Sequence, residues 1–120
     1  MQQAALLFDP PPSRPRREEM RDEGIDRAVS HADRVIPDWS EKAHALSIVY
    51  LQSLGAGAQT TSEKVRLYAE RAGLPHPPDK RAWGAVMLRL ARAGRLRKRG
   101  WTTAEDPRVH CNPVSLWEIA

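Results

Sequence analysis

The ten prolines of this chain limit where helices and strands can form more strictly than any other feature of its sequence. Proline lacks an N–H donor and its ring clashes with the preceding helical turn, so it is largely excluded from the interior of helices and of paired strands. Most of the prolines lie in three clusters, at 10–15, 75–78 and 107–113. Regular structure is therefore expected mainly in the segments between and after these clusters.

The first proline cluster divides the chain into a short peptide and a folded domain. At 120 residues the chain is long enough for one modest hydrophobic core and too short for two. The segment DPPPSRPR, residues 9–16, favours extended backbone that reaches about 3.1 Å per residue. We therefore expect residues 1–16 to be a flexible N-terminal peptide with a proline-rich linker, and residues 17–120 to form the domain.

Apolar residues at helical spacing predict two helices before the second proline cluster is reached. The first, about 17–34, carries acidic residues in its first turns, where the helix dipole favours them. The second, about 39–54, follows Asp38, which has capping-box spacing to Glu41. Trp39 is expected to anchor the start of this second helix.

Two further helices are predicted on either side of the second proline cluster. A short third helix follows Thr60, whose spacing to Glu63 is again that of a capping box, and it stops at Gly73. The fourth helix, about 80–93, has Asp79 as its N-cap.

The helical period fades after the fourth helix, and the composition then favours strands. LRKRGWTT (96–103) and VSLWEI (114–119) are predicted to be two short strands of a hairpin with the long loop AEDPRVHCNP. The predicted fold class is therefore mainly α with a small β-hairpin.

Positive charge is concentrated on the fourth helix and the first strand. The formal net charge is +4, and the segment from Lys80 to Trp101 contains eight basic residues and no acidic one. Such a segment is typical of proteins that bind a polyanion. The candidate DNA-binding residues are Lys80, Arg81, Arg89, Arg92, Arg95, Arg97, Lys98, Arg99 and Trp101.

The fourth helix is predicted to be amphipathic. At 3.6 residues per turn, Arg81, Arg89 and Arg92 fall on one side, whereas Trp83 and Leu90 fall on the opposite side. The apolar side is expected to dock on the second and third helices, which leaves the arginines facing solvent, as in a helix that reads a DNA groove. A solvated surface that binds nothing gives the same pattern, and this alternative stays open.

The order of elements, with two helices, a proline turn, a basic helix and a hairpin, resembles the winged helix-turn-helix. The resemblance covers about 38–120 and makes 17–34 an added N-terminal helix. It implies that the fourth helix enters a DNA groove and that the hairpin is the wing. Trp83 and Trp117 are expected in the core, whereas Trp101 either stacks on a base or packs in the hairpin.

A second resemblance rests on longer segments. HADRV (31–35), LPHPPDKRAWGAVMLRLARAG (74–94) and DPRVHCNP with Trp117 are similar to a family of small, mostly uncharacterised proteins encoded by bacteriophages and prophages. Members of that family also tend to begin with a short Leu-Phe peptide. The resemblance implies a bacterial host cell, and the single cysteine favours its reducing cytoplasm.

Residues 3–8, QAALLF, resemble the hexapeptide by which bacterial replication and repair proteins hold the DNA polymerase sliding clamp. That motif implies a polar subsite for its glutamine and an apolar pocket for its leucine and terminal aromatic residues, whereas the alanines at positions 4 and 5 depart from it. Binding to another partner protein, or folding back over the first helix, are the alternatives. The candidate protein-binding residues are Gln3, Leu6, Leu7 and Phe8.

No group of residues predicts catalysis, a cofactor or a metal. The one Cys/His cluster, Asp106, His110 and Cys111, offers too few ligands at zinc spacing. A phosphate-binding GxxxxGK[ST] loop is absent from the sequence, and no apolar run approaches the roughly 20 residues of a membrane helix. We therefore expect a cytoplasmic protein that is not an enzyme and has no membrane partner.

Together these features predict a phage or prophage DNA-binding accessory protein, acting in DNA replication and recruited through its N-terminal peptide. A DNA-binding transcription regulator shares the basic helix but does not need the peptide. A third possibility is an interaction module without DNA affinity that inhibits or redirects a host replication protein, in which the arginines meet an acidic protein surface.

Overall fold

The computed structural model describes residues 14–103 and 113–120. Along these residues it is mainly helical with a small antiparallel sheet, which confirms the predicted fold class at that level. The elements in chain order are α1 (Arg14–Val35), α2 (Trp39–Leu54), β1 (Gln59–Thr60), α3 (Ser62–Arg71), α4 (Ala82–Arg92), β2 (Leu96–Thr103) and β3 (Pro113–Ile119).

Helix α1 begins three residues earlier than predicted, inside the segment that the sequence placed in the extended linker. Its second residue is Pro15. The N–H groups of a first helical turn have no acceptor within the helix, so a proline there removes no hydrogen bond. The predicted start of this helix, at about residue 17, was therefore wrong because proline is compatible with the start of a helix.

The start of α2 is capped from the preceding helix. Within the described chain Asp38 makes no side-chain capping bond, and its backbone is left-handed, with φ 60° and ψ 25°. Asp33 instead accepts hydrogen bonds from the Ser40 backbone N–H at 2.8 Å and from the Ser40 hydroxyl at 2.7 Å. The predicted capping box at Asp38 was wrong, and the capping carboxylate links α1 to α2.

The starts of α3 and α4 are each shifted slightly from the prediction. Thr61, rather than Thr60, caps α3, because its hydroxyl accepts from the Lys64 N–H at 3.3 Å while Thr60 belongs to β1. Asp79 does accept a backbone N–H, from Arg81 at 2.9 Å, but residues 79–81 form a turn and α4 begins only at Ala82.

The three strands form a sheet in the order β1-β3-β2, with both pairings antiparallel. Strand β2 matches the predicted segment, and β3 begins one residue earlier than predicted. Strand β1 was not predicted, since two residues are too few to show an alternating pattern. The register of β2 against β3 shifts between Lys98 and Gly100, and Gly100 has a φ of 138° that side-chain-bearing residues rarely adopt.

The core is centred on two tryptophans. Trp39 is fully buried, its indole N–H donates to the Pro75 carbonyl at 2.9 Å, and its ring meets that of Trp83 edge-on with centroids 5.3 Å apart. This confirms the predicted positions of both residues, and Trp117 packs half-buried against the core. Around them are packed Ala28, Ala32, Ala43, Leu51, Val65, Ala69, Leu74, Ala82, Val86, Met87, Leu90, Leu96 and Ile119.

Candidate nucleic-acid interface

Helix α4 has the predicted two faces. Trp83 and Leu90 are buried, whereas Arg89 and Arg92 are exposed, as is Arg81 in the turn before the helix. The remaining basic candidates, Lys80, Arg95, Arg97, Lys98 and Arg99, are exposed as well. The arginines of this segment thus point away from the interior.

Three of these arginines are paired with carboxylates of the same chain. Arg81 binds Asp79 at 2.7 Å, Arg89 binds Glu41 at 2.9 Å, and Arg99 binds Glu118 at 3.1 Å. Hydrogen bonds from the Arg81 side chain and backbone hold the pKa of the Asp79 carboxyl below its ordinary value. Exposed ion pairs are weak, so these pairs reduce but do not abolish the attraction of the arginines for phosphate.

Three other arginines form what we call the free basic cluster: Arg92, Arg95 and Arg97. They are exposed, and none has an ion pair or a side-chain hydrogen bond within the described ranges. Arg92 is the last residue of α4, and Arg95 and Arg97 flank Leu96, the first residue of β2. Because Leu96 is buried and successive side chains of a strand alternate, its two neighbours point outward. Lys80, in the turn before α4, is exposed and likewise unpaired in this part of the chain.

His44 of α2 lies near the free basic cluster. Burial and the charge of Arg89 lower the pKa of His44, with a smaller contribution from Arg95, while Glu41 opposes the shift. The imidazole therefore favours its neutral form, and the positive charge of this surface comes from arginine.

Helix α1 covers part of the α4 surface that the sequence analysis expected to be open. A Cβ added at Gly84 would lie 3.0 Å from Ile25 Cδ1, so the glycine permits close contact between the two helices. A Cβ at Gly24 would likewise lie 3.0 Å from the Arg81 guanidinium. The side of α4 that carries Gly84 is therefore occupied by α1, whereas Arg92 at the end of α4 is exposed.

A groove of about 420 Å³ lies between α1, α4 and the sheet. Its walls are mostly apolar, and Arg21, Lys98, Ser62 and Ser115 supply its polar groups. Trp101 is 63% exposed, and the Lys98 ammonium lies 3.9 Å from the centre of its ring. Sequence reasoning missed the part that α1 plays, because nothing local marks Ile25 as a neighbour of Gly84.

Several predicted residues lie outside the described parts of the chain. These are the peptide residues Gln3, Leu6, Leu7 and Phe8, and the loop residues Asp106, His110 and Cys111. Among residues 14–103 and 113–120, no three His, Cys, Asp or Glu side chains are placed to hold a metal ion. None of the helices in those ranges has both the length and the apolar character that crossing a membrane requires.

Comparison of the chain with protein-family models, with curated proteins and with solved structures found no match.

Proposed function

We propose that this chain is a phage or prophage DNA-binding accessory protein of DNA replication, built on a winged helix-turn-helix and recruited by a clamp-type peptide at residues 3–8. The order of elements supports the fold assignment. Helices α2, α3 and α4 precede the hairpin, and the two-residue β1 pairs with β3 at the sheet edge away from β2. In such a domain α4 is the recognition helix and the β2–β3 hairpin is the wing.

The free basic cluster is the observation that carries the proposal. Three exposed guanidinium groups without an intramolecular partner in the described residues lie within six positions of one another, in a segment that has no carboxylate from Lys80 to Thr103. Guanidinium forks bind phosphate oxygens bidentately, and each phosphate contact releases counterions from DNA.

Charge reversal of the cluster tests DNA binding. In Arg92→Glu with Arg95→Glu, affinity for a duplex of about 20 base pairs should fall, and the slope of log affinity against log salt should weaken by about 2, because roughly 0.9 is lost per phosphate contact. Fluorescence anisotropy between about 50 and 200 mM salt measures both quantities.

The matched control is Lys42→Glu with Arg71→Glu, which reverses the same amount of charge on α2 and α3. It should bind duplex nearly as the unaltered protein does. Equal losses in the two variants would indicate bulk charge only, and an unchanged slope in the cluster variant would remove the proposal.

The peptide is tested separately, by calorimetry with a bacterial sliding clamp. The unaltered chain should give binding heat, which should vanish in Leu7→Ala with Phe8→Ala because burial of each side chain contributes about 1.5–3 kcal/mol. Ala4→Leu with Ala5→Asp, which restores the usual motif residues, should bind more tightly. Equal heats from all three proteins would exclude this part of the proposal.

An interaction module that meets an acidic protein surface is the second candidate. Partial coverage of α4 by α1 at Gly84 favours it, because a helix that enters a DNA groove needs its outer face free. If the duplex titration shows no binding while the clamp titration does, this candidate replaces the first.

A further inference from the structure

We infer that the groove between α1, α4 and the hairpin binds an unpaired nucleobase, so that the protein prefers single-stranded DNA to closed duplex. The inference rests on the proposed DNA binding and adds the class of nucleic acid. It depends on the geometry around Trp101.

A β-bulge places Trp101 and Lys98 on one face of the sheet. Side chains alternate along a strand, so residues three apart point to opposite faces in a regular strand. The register shift between Lys98 and Gly100 inserts one extra residue into β2, so that Lys98 pairs with Trp117 before the bulge and Trp101 pairs with Ser115 after it. The two side chains therefore meet, with the Lys98 ammonium 3.9 Å from the ring centre.

The Trp101 ring has an open face. Lys98 covers one side of the indole, yet the residue stays 63% exposed, whereas the other tryptophans are buried or half-buried. Large apolar residues on a surface beside a concave pocket are typical of binding sites. An open indole is the platform on which unpaired bases stack, and every base offers such a face.

The groove fits one nucleotide in both size and polarity. Its volume of about 420 Å³ lies in the range of small-molecule sites, roughly 300–1,000 Å³. Cations at Lys98 and Arg21 complement a phosphate, and the hydroxyls of Ser62 and Ser115 suit the edge of a base. Apolar walls for the base come from Ile25, Met87, Leu88, Trp101, Val114 and Trp117.

The position of α1 favours an unpaired strand. Ile25 packs against Gly84 and covers the side of α4 next to the groove. A paired base is stacked between its neighbours and presents no free face, so it cannot lie on Trp101 without being unstacked. A single strand can place one base in the groove and a neighbouring phosphate on Lys98 or Arg21, which line it.

Trp101→Leu tests the inference in the full chain, with an oligo-dT of about 12 nucleotides and a closed hairpin duplex as probes. The unaltered protein should bind oligo-dT more tightly than duplex, with quenching of tryptophan emission. The variant should lose the quenching and about 5- to 150-fold of its oligo-dT affinity, with duplex affinity changed less than about 2-fold. Trp101→Phe should retain part of the affinity.

Val49→Ala is the control, since Val49 is an exposed apolar residue of α2 that does not line the groove. It should leave both affinities unchanged. Unaltered oligo-dT binding and quenching in Trp101→Leu, or equal losses for both probes, would overturn the inference and leave the duplex proposal standing. If the unaltered protein bound neither oligo-dT nor the duplex, both this inference and the proposed DNA binding would be overturned.

Discussion

His44 lies half-buried on α2, near one carboxylate and two guanidinium groups. Burial and Arg89 lower the pKa of His44, Arg95 adds to this, and Glu41 acts against it. The His44 Nδ1 atom is buried without a hydrogen-bond partner among the described residues. A proton on this imidazole is therefore less favourable in the folded chain than in the unfolded one.

We expect this difference to make stability depend on pH. The unfolded chain protonates His44 near pH 6.5 and the folded chain only at lower pH. The contribution of the neutral imidazole to the free energy of unfolding is therefore complete above pH 6.5 and is lost as the pH falls toward the pKa of the folded state. His44→Gln should flatten the pH dependence of the urea midpoint between about pH 5 and 7. The control is His31→Gln, at an exposed position, which should keep the pH dependence of the unaltered protein. Identical profiles for all three proteins would contradict the assignment.

At the scale of elements, the local signals located the helices well and their caps poorly. Helix α2 spans the predicted 39–54, and α4 lies within the predicted 80–93. A capping box is a local pattern, however, and the carboxylate that caps α2 comes from α1, seven residues before Ser40. Thr60 was assigned to a cap although it pairs with Trp117 in the sheet.

Two aspartates near the start of α2 should therefore behave in opposite ways. Asp33→Ala should lower the free energy of unfolding by about 1–2 kcal/mol, because it removes the acceptor for the Ser40 N–H and hydroxyl. Asp38→Gly should be neutral or stabilising by up to about 1 kcal/mol, because φ at Asp38 is 60° and glycine adopts this conformation freely. Urea denaturation measures both changes. A larger loss of stability in Asp38→Gly than in Asp33→Ala would show that Asp38 caps α2, as the sequence predicted.

At the scale of the whole molecule, Trp39 joins parts of the chain that are far apart in sequence. Its indole donates to Pro75, 36 residues away, and its ring packs on Trp83 of α4. It therefore couples α2 to the proline turn and to the basic helix. The orientation of the arginine face depends on this contact.

Trp39→Phe should lower the free energy of unfolding by about 1–3 kcal/mol, because the Pro75 carbonyl loses its donor and the smaller ring leaves space in the core, where Trp39 is fully buried. Trp101→Phe makes the same chemical change on the surface and should change stability by less than about 0.5 kcal/mol. Chemical denaturation of the two variants compares them directly. Similar losses in both would show that Trp39 is not a central contact of the core.

Local patterns were enough to predict the helices, the hairpin strands and the outward direction of the arginines, because these follow from backbone propensity and from the spacing of apolar residues within one element. Packing between distant elements sets which arginines have no partner among the described residues, where β1 joins the sheet, and how α1 covers one side of α4. Contacts such as Arg89 with Glu41 or Ile25 with Gly84 connect residues about 50 to 60 positions apart. No local pattern encodes such pairs, because they form when packed elements bring distant side chains together.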